Sequence, residues 1–249
     1  MKKENKYVGK LFHTNSCGDL IIIEYINYCD VKVKFLDTGY TTNTKMTHVK
    51  NGKVRDYLKP ILFGVGILGL NFTKGESSTP MYDLWSGVMI RCYSPAWHKR
   101  KPSYVNCTSS DNFKYYPYFK EWCNKQIGFG NKGWQLDKDI LVKGNKIYSE
   151  DTCCFVPLEI NNLFIKGDAV RGKYPVGVNW SSNKNKFMSR VSINGKRNYL
   201  GEYDTPEEAF YAYKQAKETY IKELANKWKD QIDPRVYEAL MNYQVEITD

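Results

Sequence analysis

The dipeptide Asn194-Gly195 lies between two runs of alternating residues, Lys186 to Ile193 and Arg197 to Gly201. A two-residue turn joining antiparallel strands requires positive φ at both central positions, which Asn and Gly accept and most residues resist. The pair therefore predicts a hairpin. A strand ahead of it is signalled by Gly177, Val178, Asn179 and Trp180. Behind it, Thr205-Pro206-Glu207-Glu208 predicts a helix start, with Thr205 as cap, Pro206 at the first helical position and Glu208 placed to reach back to the cap. Ala209, Ala212, Tyr213, Ala216, Tyr220, Leu224 and Trp228 then recur at helical spacing and form one apolar stripe. A stripe of this kind needs a surface to cover, and the three strands supply it.

Alternation along the middle strand sends Phe187, Ser189 and Val191 toward the helix and leaves Lys186, Met188, Arg190 and Ser192 facing out. The same parity puts Arg197 and Tyr199 beside the second set. From Arg171 to Tyr203 there are seven Lys or Arg and one acid, Glu202. A basic open sheet face that carries an aromatic suits a nucleic-acid groove. A charge run alone equally describes a solvated face.

Gly177-Val178, Lys186-Phe187, Arg190-Val191, Tyr199-Leu200-Gly201, Tyr203, Thr205, Glu207-Glu208-Ala209, Ala212-Tyr213 and Ala216 together resemble the AP2/ERF DNA-binding domain, over roughly a fifth of the chain. The resemblance implies a three-stranded sheet laid in the DNA major groove with the helix on its far side. The DNA-facing residues it implies are Asn179, Ser181, Lys186, Met188, Arg190, Ser192, Arg197 and Tyr199. Asn179, Ser181 and Ser192 stand where plant relatives carry arginine, so the implied target sequence differs.

The chain has 249 residues, 42% of them hydrophobic, which is enough for two or three small cores. A formal net charge of +10 favours a polyanionic partner, although basic surfaces also meet membranes. No apolar run approaches the roughly 20 residues that span a bilayer, and the start, Met1 to Lys6, leads into no signal-peptide core. Seven irregularly spaced cysteines without a C-x-x-C pattern suit reduced thiols in the cytoplasm. The expected class is α+β and multidomain, with segments 1–75, 76–165 and 166–249.

Within 1–75, Leu20 to Ile26 and the alternation of Val31, Val33 and Phe35 with Lys32 and Lys34 predict a small SH3-like barrel or curled sheet. Phe63 to Gly69 carries a G-x-G pattern without a Lys-Ser/Thr ending and reads as a flexible connection. Helical spacing recurs at Tyr82 to Cys92 and Phe113 to Gln126, separated by a basic loop, Pro95 to Tyr104. A linker is expected over Leu163 to Tyr174, and a last helix at Asp233-Pro234.

Leu136 to Ile140 and Gly144 to Cys153, taken with Trp85, Arg91-Cys92, Trp122 and Asn161-Asn162, look like the phage-type HNH homing endonucleases, ββα-metal proteins that often carry an AP2-like domain behind them. That family implies a divalent ion, Mg²⁺ or Mn²⁺, held by a motif acid and an asparagine, with a histidine beside the acid as general base. Here Lys138 takes the histidine's place and Thr152 the asparagine's. Asp137 and Asp139 would be the metal ligands, with Asn145, Glu150 or Asp151 closing the site and Lys138 the residue in the base position; an ordinary acidic turn fits the same residues. The implied function is metal-dependent cleavage or nicking of duplex DNA, in the host cytoplasm for a phage protein. The alternatives are a nuclease-derived DNA-binding protein that regulates or inhibits another DNA-directed machine through a protein partner, and an RNA-binding accessory protein.

Overall fold

A computed structural model of the chain describes residues 6–73, 75–164 and 173–247. Its strands in chain order are β1 (Leu11–His13), β2 (Asp19–Asn27), β3 (Asp30–Phe35), β4 (Thr41–Thr44), β5 (Thr108–Ser109), β6 (Trp134–Asp137), β7 (Ile147–Tyr148), β8 (Cys154–Pro157), β9 (Val178–Ser181), β10 (Lys186–Ile193) and β11 (Lys196–Tyr203). The helices are α1 (Met46–Lys50), α2 (Pro80–Tyr93), α3 (Pro95–Arg100), α4 (Asp111–Lys114), α5 (Tyr116–Asn124), α6 (Leu158–Asn161), α7 (Pro206–Trp228) and α8 (Pro234–Met241). The class is α+β. Among the described residues no helix is long and apolar enough to cross a membrane. The chain groups into two compact units: one runs up to Asn124 and adds Lys146–Glu150, and the other comprises Lys125–Asn145 and the chain from Asp151 onward. These limits do not coincide with the segments 1–75, 76–165 and 166–249.

In the first unit β1 to β4 form an antiparallel meander in chain order. The expected barrel does not close: among the described residues β1 pairs with β2 alone and β4 with β3 alone, so the meander stays an open sheet. Leu20 and Ile22 of β2 and Val31, Val33 and Phe35 of β3 are buried by alternation and pack with Met46 and Val49 of α1. The helical part holds Trp85 fully buried, its indole N–H donating to the Phe113 carbonyl at 2.8 Å. Strands β5 and β7 pair in parallel and bring Lys146–Glu150 into this unit.

Two expectations for this unit are corrected. The basic loop after Ser94 is helical, as α3 followed by a 3-10 turn at Pro102–Tyr104. Ser94 Oγ accepts from the Trp97 N–H at 3.3 Å and Pro95 occupies the first helical position, a start signal that outweighs the polar composition. The Phe63 to Gly69 run is a pinned turn and not a loose connection. Leu62 bridges Gly66, and a Cβ on Gly66 would meet Trp85 at 3.0 Å.

In the second unit the hairpin follows from its dipeptide: Asn194 and Gly195 have φ of 51° and 74°. The sheet order is β11-β10-β9, antiparallel throughout. Thr205 Oγ accepts from the Glu208 N–H and a Glu208 carboxylate oxygen accepts from the Thr205 N–H, both at 3.2 Å, completing the capping box of α7. The stripe is wider than expected. Its first part, Ala209 and Phe210, packs with Val178, Phe187 and Tyr203 under the sheet. Its last part, Ile221 and Ala225, packs with Ile140, Cys154 and Val156 of the β6–β8 segment, with Ile160 of α6 and with Val236 and Leu240 of α8. The linker expected over 163–174 falls mostly on residues 165–172, outside the described residues.

Gly177 enters β9 at φ 78°, where a Cβ would lie 2.1 Å from the Tyr213 ring, whereas Gly195 has positive φ but open space around it. Gly177→Ala should therefore cost about 1–3 kcal/mol more than Gly195→Ala in urea unfolding, since only the former adds a collision to backbone strain.

Candidate nucleic-acid interface

The β10 register decides which side chains share the outer face. Met188 pairs with Asn179, Lys186 with Ser181, Arg190 with Tyr199 and Ser192 with Arg197. Directly paired residues project to one side, so all eight residues that the AP2/ERF resemblance implies lie together. Asn179, Arg190, Ser192, Arg197 and Tyr199 are exposed, and Ser181, Lys186 and Met188 are half-buried. The opposite face buries Val178, Ser189 and Val191. Trp180, on that same side, stays 40% exposed, with its ring 4.8 Å from Phe187.

A bulge adds a ninth member. The register steps from Ser189–Gly201 to Arg190–Tyr199, leaving Leu200 as the extra residue, with Gly201 at φ 141°. Past it the parity of β11 reverses, so Glu202 pairs with Met188 on the outer face and Tyr203 pairs with Phe187 inside. Strict alternation misses this reversal. Its signal is Gly201 within a strand. Glu202 accepts from the Tyr199 hydroxyl at 2.6 Å and from Lys184. The Lys184 bond and then the Tyr199 bond hold the Glu202 carboxyl below its ordinary range, and the same contact raises Tyr199. Lys186 pairs with Asp204. Among the described residues, Arg190 and Arg197 have no carboxylate partner; the Arg190 guanidinium donates to the Met188 sulfur, at 3.8 Å.

The other predicted cluster is a turn at the end of β6, where Asp137 pairs with Cys154 of β8. One Asp137 oxygen accepts from the Asp139 and Ile140 amides at 2.7 and 2.8 Å. The Lys138 ammonium, 7% exposed, donates to Asp139 at 2.5 Å and to the Asn145 carbonyl at 2.7 Å. The Asn145 amide returns a bond to the Lys138 carbonyl at 2.7 Å. Asp137, Lys138, Asp139 and Asn145 are thus brought together. Glu150 belongs to the first unit and accepts from Asn112 at 2.8 Å. Burial works to raise the Glu150 carboxyl, but bonds from its own amide, Asn112, Tyr118 and Ser110 leave it lowered.

For a divalent ion this turn is a poor fit. One oxygen of each aspartate is committed, and the Lys138 charge already stands against Asp139, where a metal would meet electrostatic repulsion. Among the described residues no group of three or more His, Cys, Asp or Glu is arranged to hold a metal. All three histidines lie in the first unit: His13 pairs with Asp19, His48 is 3.4 Å from the Thr44 hydroxyl, and His98 bonds the Arg91 carbonyl at 2.8 Å. No family model matches this chain, and no curated protein or solved structure is significantly similar to it.

Burial raises the Asp137 carboxyl above its ordinary 3.8, against the lowering effect of its two amide donors. The folded chain therefore keeps this proton to higher pH than the unfolded chain, and that costs stability as pH rises through the interval. Asp137→Asn, which can accept the same bonds without charge, should gain stability relative to the wild type as urea melts move from about pH 3 to about pH 7. Asp137→Ala should lose about 1–3 kcal/mol by orphaning the two amides.

Proposed function

We propose that this chain binds duplex DNA through the outer face of β9–β11 and that the Asp137 turn serves structure more than catalysis. The observation that carries the reading is the pair Arg190 and Arg197, exposed on one sheet face, each on a different strand and without a carboxylate partner among the described residues. Planar guanidiniums held on a rigid sheet suit bidentate contact with guanine edges and phosphates. The AP2/ERF resemblance points to the same face. The role that fits a DNA binder without a competent metal centre is regulation or inhibition of another DNA-directed machine.

A second reading is metal-dependent nicking by an HNH-like centre. It draws on the convergence of Asp137, Asp139 and Asn145 in one turn. Mg²⁺ or Mn²⁺ would be its cofactor.

Duplex affinity should fall steeply with salt, and Arg190→Ala and Arg197→Ala should each cost about 1–3 kcal/mol in fluorescence anisotropy titrations if the side chain reads a guanine. Equal affinity of the wild type and the double variant would remove the sheet from the interface. Supercoiled plasmid incubated with Mg²⁺ or Mn²⁺ should stay uncut above the level of an Asp137→Asn Asp139→Asn variant. A metal-dependent nick present only in the wild type would establish the second reading.

A further inference from the structure

Strand β9 pairs with β10 only over Lys186 to Ser189. The Arg190 N–H still reaches the Gly177 carbonyl at 2.9 Å. Beyond it β10 continues to Ile193 with β11 as its only strand partner among the described residues. Beside this free edge lies a groove of about 790 Å³, a size suited to a nucleotide. It is lined from one side by Arg190, Ser192 and Arg197 and from α7 by Tyr213, Lys217 and Tyr220. Tyr220 fixes the hairpin tip over α7: its hydroxyl donates to Asn194 Oδ1 at 2.9 Å and accepts the Asn194 N–H at 3.4 Å.

Lys217 is the unusual member. It is half-buried, and among the described residues it has neither a hydrogen-bond nor an ion-pair partner, so burial alone pushes its ammonium below the ordinary lysine range. The lysine one turn earlier on the same helix is satisfied, since Lys214 meets Glu218 at 2.9 Å and the Val245 carbonyl at 2.6 Å. The acid lining the groove, Glu159, is already engaged by Lys227 at 2.5 Å and by the Trp228 indole. What remains is a cleft with three cations on three elements that have no carboxylate partner among the described residues, one of them, Lys217, partly desolvated, and charge-assisted bonds from such groups hold an anion strongly.

We propose that Lys217, together with Arg190 and Arg197, forms a phosphate site in this groove, which holds a backbone phosphate of a DNA strand lying across the sheet. The site rests on the duplex-binding reading above and adds to it a contact from the helix on the sheet's far side. A DNA strand reaching this edge of β10 passes from the outer face into the groove without crossing another β-strand of the described residues, because β9 has ended there.

The test uses the full chain, a duplex of about two helical turns and anisotropy titrations over a salt series. Lys217→Gln should weaken binding by about five- to tenfold and flatten the salt slope by about 1. Lys217→Arg should keep the wild-type slope, which separates loss of charge from loss of fold. Lys222→Gln, an exposed change on the same helix, should alter neither. A wild-type slope in Lys217→Gln, with binding lost in Arg190→Ala Arg197→Ala, overturns the inference and leaves the duplex reading standing. Absence of salt-dependent duplex binding by the wild type overturns both. Tighter binding of a free nucleoside monophosphate than of duplex, lost in Lys217→Gln, assigns the groove to a nucleotide and overturns the backbone-phosphate assignment.

Discussion

The second unit depends on a single helix with two clients. Helix α7 has 23 residues and so runs about 35 Å. Its first turns bury Ala209 and Phe210 under the three-stranded sheet, and its last turns bury Ile221 and Ala225 against β8, Ile140 and α8. Full burial of Phe210 and of Ile221 contributes about 1.5–3 kcal/mol each, so both ends of the helix are anchored. The capping box at Thr205 fixes where the helix begins relative to β11, and that start sets which residues meet the sheet. The position of the outer face therefore follows from packing on the opposite side.

Charge on that outer face is arranged in two grades. Lys184 holds the half-buried Glu202 and Lys186 the exposed Asp204. Ion pairs of this kind contribute little in water and exchange readily when a denser anion arrives. Arg190, Arg197 and Lys217 have no such carboxylate counterpart among the described residues. For a chain with a formal charge of +10, the paired lysines keep the free surface from attracting every polyanion equally, while the uncompensated groups concentrate the attraction at the hairpin end of the sheet.

Much of this architecture was legible before any coordinates. Asn194-Gly195, Thr205-Pro206 and the alternation of Lys186 to Ile193 each carry a local mechanism, so their elements could be read from short stretches. What escaped was non-local or depended on a single irregular residue. The Leu200 bulge reverses a parity that alternation assumes is constant. Ile221 and Ala225 fall outside a one-sided stripe because they serve a second core supplied by residues far away in sequence. The resemblance to HNH endonucleases makes the Asp137 turn a candidate centre, but which partner Lys138 chooses is a matter of distance: its ammonium meets Asp139 and the Asn145 carbonyl.

The bulge makes β11 a strand of two phases. Residues before Leu200 and residues after it answer to opposite alternation rules, and Gly201 at φ 141° is the joint between them. Removing Leu200 would restore a regular ladder with Glu202 still opposite Met188 and Tyr203 still opposite Phe187, whereas a ladder made regular with Leu200 retained would carry Glu202 into the core and Tyr203 into solvent. Anyone transplanting a new recognition surface onto this sheet must therefore treat Lys196 to Tyr199 and Glu202 to Tyr203 as separate cassettes, each aligned to β10 in its own frame.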